Sequence, residues 1–206
     1  MPEQSDISNL AITWKHRCCD FPQPLRLDDK ITIFEEQIYG WQLHTADLIL
    51  NGGQHHDGST SVSNIPHAAF AALQVLLSYF ELISKYHDGY CGQDKSAEHF
   101  KKGFHLVFPG LIAFHPDIVD RVLKVLYSGL RCGLYHGFSM GRDIILSGEP
   151  DAALFVPPHS DTLWINPHKW PQAMKAHLKG YCECLRNESN RTLRANFEKR
   201  YDHDNG

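Results

Sequence analysis

The sequence has no C-x-x-C pair, no long apolar run and no surplus of basic charge, and each gap closes off a class of protein. Without C-x-x-C, a zinc ribbon has no ligand pair to start from. The cysteines stand at positions 18, 19, 91, 132, 182 and 184. An adjacent pair and a C-x-C pair do not make the framework of a small secreted disulfide protein. The most apolar stretch, residues 68–83, is broken by Gln74, Ser78 and Glu81. It falls short of the ~18 residues expected of a membrane span. Residues 1–19 lack a basic start followed by an apolar run, so no secretory signal is read there. A cytoplasmic protein without membrane association is expected. Lys and Arg number 20 against 24 acidic residues, for a formal net charge of −4. That balance argues against a generally basic nucleic-acid binder that works by counterion release, while leaving room for a small local basic site.

What is present is ordinary globular composition, 42% hydrophobic and 21% charged over 206 residues. This is enough for one domain, with or without a small appendage, to bury a core without a disulfide or metal staple. The 14 histidines make the chain's charge responsive to pH below neutrality.

No internal repeat or long linker interrupts the chain. Residues 1–30, with Pro22 and Pro24, read as an irregular segment lying across the surface. A first helix is expected from Thr32 to Leu50, burying Phe34, Ile38, Trp41, Leu48 and Ile49 and stopping at Asn51-Gly52-Gly53. A second starts with Asn64 as cap and Pro66 in its first turn, and runs to Asp88-Gly89. Apolar residues cover nearly its whole circumference, which makes it the central helix. A shorter third helix is read in residues 98–108. A fourth begins around Pro116, with Val119, Val122, Leu123, Leu126, Leu130 and Leu134 inward, and ends near Gly137. Short apolar runs between residues 143 and 165 read as a small antiparallel hairpin or three-stranded patch. The final helix starts near Pro167, capped by Asn166, with Trp170, Met174, Leu178, Tyr181 and Leu185 inward. Residues 191–206 read as a polar tail. The fold class is therefore mainly all-α, a helical bundle over residues 31–190 with a minor β appendage.

The segment most informative about chemistry is residues 126–137, LYSGLRCGLYHG. Arg131 and His136 lie five residues apart, roughly 140° around a regular helix, so they flank a groove rather than stack. Arginine offers a planar fork of donors suited to phosphate, and histidine gives or takes a proton. Together they suit attack of a ribose 2′-hydroxyl on its adjacent phosphodiester, with no metal or cofactor required. On periodicity alone a simpler account exists: both residues complement the dipole of a helix C-terminus and cap its last carbonyls.

The pattern Arg131, four residues, His136, Gly137 at the end of an amphipathic helix resembles the R-x4-6-H signature of the HEPN superfamily. The resemblance extends to the order of helices from about Thr32 to Arg186, including the apolar second helix. It implies an all-helical domain of the kind found in many prokaryotic toxin and defence ribonucleases. It further implies a homodimer in which two motif helices face each other, an RNA substrate, Arg131 and His136 as the catalytic pair, and a cognate antitoxin or other protein partner. This chain departs from the family at Cys132, where a polar residue often follows the arginine. Cysteine is a poor hydrogen-bond donor, so the departure bears on activity more than on fold. As a nucleophile Cys132 is less expected than as a small packing residue.

Glu81, inside the apolar second helix, has two readings. It pairs with Arg131 and orients it, as an acidic residue from a neighbouring helix does in some relatives, or it pairs with Lys85 on an exposed strip. Tyr127 and Tyr135 are candidate platforms for RNA bases, although tyrosines so placed more often pack with a wet hydroxyl. Lys101, Lys102 and Lys124 are candidate phosphate contacts that read equally well as solvated surface. His55-His56-Asp57 is the nearest approach to a metal cluster, in a loop without a clear partner ligand. Cys182 and Cys184 point to opposite sides of the last helix. Three functions follow: a metal-independent endoribonuclease, a non-catalytic dimeric module binding nucleotide, RNA or protein, and, more weakly, a metal-dependent hydrolase.

Overall fold

A computed structural model describes the chain except for residues 1–9, 56–57, 59, 111–115, 138–139 and 158–161. Its architecture is mainly α-helical. Helix α1 (Leu27–Gln37) runs through a π-helical stretch (Ile38–His44) into α2 (Thr45–Asn51), which ends at Gly52. A two-residue hairpin, β1 (Gly53–Gln54) with β2 (Ser61–Val62), leads to α3 (Ala69–Asp88) and α4 (Ser96–Val107). The fourth helical segment is composite: α5 (Pro116–Lys124), a π-helical stretch (Val125–Cys132), then α6 (Gly133–Gly137). Strands β3 (Ile144–Leu146), β4 (Leu154–Phe155) and β5 (Leu163–Ile165) precede α7 (Trp170–Arg186) and α8 (Arg191–Asn205).

Helix α3 is central because apolar side chains cover it all round. Leu73, Leu76, Leu77, Tyr79, Phe80 and Ile83 are all fully buried. It stops at Gly89, whose φ of 63° lets its N–H close back on the Lys85 carbonyl. Against it lies α4, brought close by Gly103: a Cβ there would fall 1.8 Å from the Phe80 carbonyl oxygen. The core between them is aromatic, with Phe80 meeting Phe104 at 4.8 Å and Trp170 at 5.6 Å between ring centroids. All five residues expected to point inward from α7 are buried, and Asn166 caps the single 3-10 turn (Pro167–Lys169) that leads into it by accepting from the His168 N–H.

Four expectations are corrected. The first helix begins at Leu27, so the irregular N-terminal segment is shorter than 1–30. That segment is also tied down: Thr13 is buried and donates to Glu36 at 2.7 Å, and Trp14 packs on Gly40 where a Cβ would collide. Trp41 is 51% exposed rather than buried, while Leu43 and Ala46 are shut in. The π-helical stretch gives the reason, since its wider turn breaks the 3.6-residue phase on which the expectation rested. The second helix begins at Ala69, after a turn over residues 66–68 in which His67 has φ 63°. The polar tail is instead α8. A sparse stripe of Leu193, Phe197 and Tyr201 at four-residue steps docks on Phe34 and Tyr86, with Phe34 and Phe197 edge to face at 5.3 Å. The β appendage is a three-stranded mixed sheet in the order β3-β5-β4, parallel for β3 with β5 and antiparallel for β4 with β5.

Candidate functional site

The composite fourth segment is seated by Leu126, Leu130 and Leu134, all buried. Four-residue steps overshoot a regular turn by ~40° each. The wider π-helical turn before Cys132 holds these leucines closer to one line. Seating that line turns Arg131 toward α3, where its Nε donates to Glu81 Oε1 at 2.8 Å. Of the two partners weighed for Glu81, the structure gives Arg131. The other carboxylate oxygen accepts from Ser96 Oγ at 2.6 Å, so Glu81 is held from α4 as well.

Both members of the pair are half-buried, with side-chain exposures of 22% for Arg131 and 14% for Glu81. Burial works against the charged guanidinium, but the charge and hydrogen bond of Glu81 outweigh it and hold the Arg131 pKa above its ordinary value. The guanidinium lies over Tyr135, its central carbon 4.8 Å from the ring centroid, and 5.8 Å from that of Tyr127. Arginine over an aromatic face gains from the ring quadrupole and loses freedom of movement. Among the described residues, no partner engages its two terminal nitrogens.

The remaining candidates divide. Tyr127 is half-buried and edge-on to Phe100 at 5.4 Å, which makes it a packing residue that also borders Arg131. Tyr135 is 47% exposed. Cys132 is a half-buried free thiol. His136 is exposed, and among the described residues nothing hydrogen-bonds it and nothing joins it to Arg131. Lys102 is occupied by Asp88 at 2.6 Å, and Lys124 is exposed. His56 and Asp57 lie outside the described residues. Among the described residues no group of three His, Cys, Asp or Glu side chains is placed to hold a metal ion, and no helix is long and apolar enough to cross a membrane.

Two contributors were not read from the sequence. Ser96 opens α4 and fixes Glu81; its place before Ala97-Glu98 reads locally as a helix start, which hides the longer-range bond. Gln74, noticed only as an interruption of an apolar run, donates from Nε2 to the Leu134 carbonyl at 2.9 Å and so ties α3 to the motif helix. The site as built is an oriented, partly neutralised arginine fork on an aromatic ring, with an exposed imidazole five residues further along the same helical segment. Such a fork suits a phosphate, which it meets with two parallel hydrogen bonds. Compared with protein-family models, with curated proteins and with solved structures, the chain finds no match.

Proposed function

We propose that this protein is a metal-independent endoribonuclease in which Arg131 holds the scissile phosphate and His136 moves the proton. The observation that carries the reading is the hold on Arg131. Glu81 takes Nε and leaves the terminal nitrogens for a ligand, while the guanidinium lies over the Tyr135 ring. The resemblance of residues 131–137 to the HEPN signature supports it, and with it come a homodimer as the working form and a toxin or defence role.

In the reaction, His136 accepts the proton of the ribose 2′-hydroxyl as its oxygen attacks phosphorus. The bond from phosphorus to the 5′-oxygen breaks, that oxygen takes a proton from water, and a 2′,3′-cyclic phosphate remains. Arg131 stabilises the extra negative charge on the non-bridging oxygens, a contribution of about 3–4 kcal/mol for one well-placed donor.

A second reading, a non-catalytic RNA- or nucleotide-binding module, is favoured by one observation. Catalytic histidines are commonly oriented by a third group, and among the described residues His136 has none. Both readings meet in one experiment: mixed-sequence RNA incubated with EDTA and either wild-type protein or His136→Ala, purified identically. Cleavage by the wild type alone, leaving 2′,3′-cyclic phosphate ends, is the expected result. RNA bound but uncut by both selects the binding module. Equal cleavage by both removes His136 from the mechanism.

A further inference from the structure

Beside Tyr135 opens a groove of about 830 Å³ between the first π-helical stretch and α3. Trp41 stands on its rim, Val75 lies along it, and three glutamines, Gln37, Gln42 and Gln74, line it. Each glutamine turns its amide nitrogen to a main-chain carbonyl. Gln37 Nε2 donates to the Ile12 carbonyl at 2.8 Å, and Gln74 Nε2 donates to the Leu134 carbonyl at 2.9 Å. Gln42 Nε2 donates to the Val75 carbonyl at 2.8 Å and to Ser78 Oγ at 2.7 Å. A main-chain carbonyl can only accept, so each amide nitrogen must face it and each amide oxygen is left over. None of the three oxygens has a partner among the described residues. Gln42 commits both of its amide hydrogens, while Gln37 and Gln74 each keep one, so the groove offers three amide acceptors against two spare donors.

We propose that this groove is a binding site for an unpaired guanine of the RNA substrate. The chemistry selects a planar occupant whose donors outnumber its acceptors on the edge it presents. On its pairing edge guanine carries an N–H and an amino group, adenine and cytosine an amino group, and uracil a single N–H. Trp41 and Tyr135, both about half exposed, supply the aromatic faces on which unpaired bases stack. The groove is continuous with the phosphate site because Tyr135 belongs to both, lining one while its ring lies 4.8 Å from the guanidinium carbon of Arg131 in the other. The assignment rests on the ribonuclease reading for its substrate, but its test does not depend on cleavage.

The test measures fluorescence anisotropy of 5′-labelled U3GU2 and U6 with full-length His136→Ala, and with the same protein carrying Gln74→Met or Trp41→Ala. The guanine oligonucleotide is expected to bind at least about fivefold tighter than U6, the lower end of what one specifically read base contributes. Gln74→Met brings the ratio toward one; the ratio is the readout, because losing the bond to the Leu134 carbonyl weakens both oligonucleotides alike. Trp41→Ala, at an exposed position where folding is not at stake, weakens the guanine oligonucleotide about tenfold, as loss of one stacking platform does. Equal binding of the two oligonucleotides overturns the guanine site, as does a preference that survives both substitutions. If the ratio is one while wild type still cleaves RNA through His136, only the guanine site falls; if the preference holds and wild type never cleaves, only the ribonuclease reading falls. A dimer in sedimentation that Trp41→Ala dissociates, with the oligonucleotide ratio unmoved, assigns the groove to a second copy of the chain and also overturns the proposal.

Discussion

Two regions of the molecule hold half-buried ionisable groups and use them differently. Where α1 meets α8, Lys30 is wedged between Glu198 at 2.9 Å and Asp202 at 2.7 Å, two carboxylates for one ammonium. Nearby in the bundle, His177 is shut against Tyr79, its Nδ1 2.9 Å from the hydroxyl. Where α3 meets the motif helix, Arg131 has one carboxylate on one of its three nitrogens, and His136 stands in the open. The first region surrounds its cation with carboxylates; the second holds a cation firmly and leaves its fork unspent. Burial and pairing alone do not separate a structural ion pair from a functional one. The unused donors do.

The largest effect expected from breaking this contrast is on the open side. Arg131→Ala should lower RNA cleavage by about 10²–10³, the range for losing one charge-stabilising donor. Its melting temperature should fall only a few degrees, because Glu81 keeps Ser96 and partial access to water. A loss of activity matched by general unfolding would place Arg131 with Lys30 as a structural cation.

The next effect belongs to the closed side and is read as acid sensitivity. Burial pulls the His177 pKa down to about 4. Above its ordinary value near 6.5 the ring is neutral whether the chain is folded or not, and nothing is lost. As pH falls from there toward 4, the unfolded chain takes up a proton that the fold refuses, so stability drops by about 3 kcal/mol over that window. His99, lowered by burial against Ser84, acts in the same direction. His177→Gln keeps an acceptor for Tyr79 and cannot charge. Urea denaturation at pH 7 and pH 4.5 should therefore show a smaller loss in the variant than in wild type. Equal losses would mean that another group carries the acid response.

Most of the bundle was legible in the sequence because periodic apolar residues decided it. The central α3, the α7 face from Trp170 to Leu185 and the leucine line to Leu134 follow from spacing alone. What escaped were the places where a different term won. Trp41 was misjudged because a π-helical turn changes phase without leaving a mark in composition. Helix α8 was missed because three apolar residues among so many charged ones make a weak signal, although Phe197 finds an aromatic socket built by residues far away in the chain. At the site, Arg131 and Glu81 were both singled out, but their pairing was one of two alternatives until α3 and the motif helix were brought together. Ser96 and the three glutamines were invisible in their roles, since a hydrogen bond to a carboxylate or backbone carbonyl far away in the chain has no local sequence pattern.

Glu81→Gln sharpens the comparison from within the open site. The amide keeps the shape and one acceptor for Arg131 Nε but removes the charge that opposes movement of the guanidinium. Cleavage should fall about tenfold, roughly one charge-assisted hydrogen bond reduced to a neutral one. The fall should appear in kcat rather than KM if orientation is what Glu81 supplies. A change confined to KM would instead mean that Glu81 tunes how tightly phosphate is held.

The smallest effect is the counterpart on the closed side, Lys30→Met. The methionine keeps the aliphatic packing of a residue that is 8% exposed and deletes only the ammonium. Glu198 and Asp202 remain in water, 44% and 56% exposed, so neither is stranded without solvation. The cost is about 1 kcal/mol, a melting shift of roughly 2–4 °C for a chain of this size, with no change in cleavage. Burial alone would lower the Lys30 pKa, but hydrogen bonds to Asp202 and Glu198 outweigh it and raise the value above its ordinary 10.5. The pair's contribution is therefore fully present below about pH 10.5 and is lost as pH climbs through the raised value. Wild type should outlast Lys30→Met at neutral pH and converge with it only in strong alkali. A cleavage defect in Lys30→Met at unchanged stability would erase the distinction between the fully paired cation and the unspent one, because a fully engaged lysine at the α1–α8 junction would then be acting on RNA.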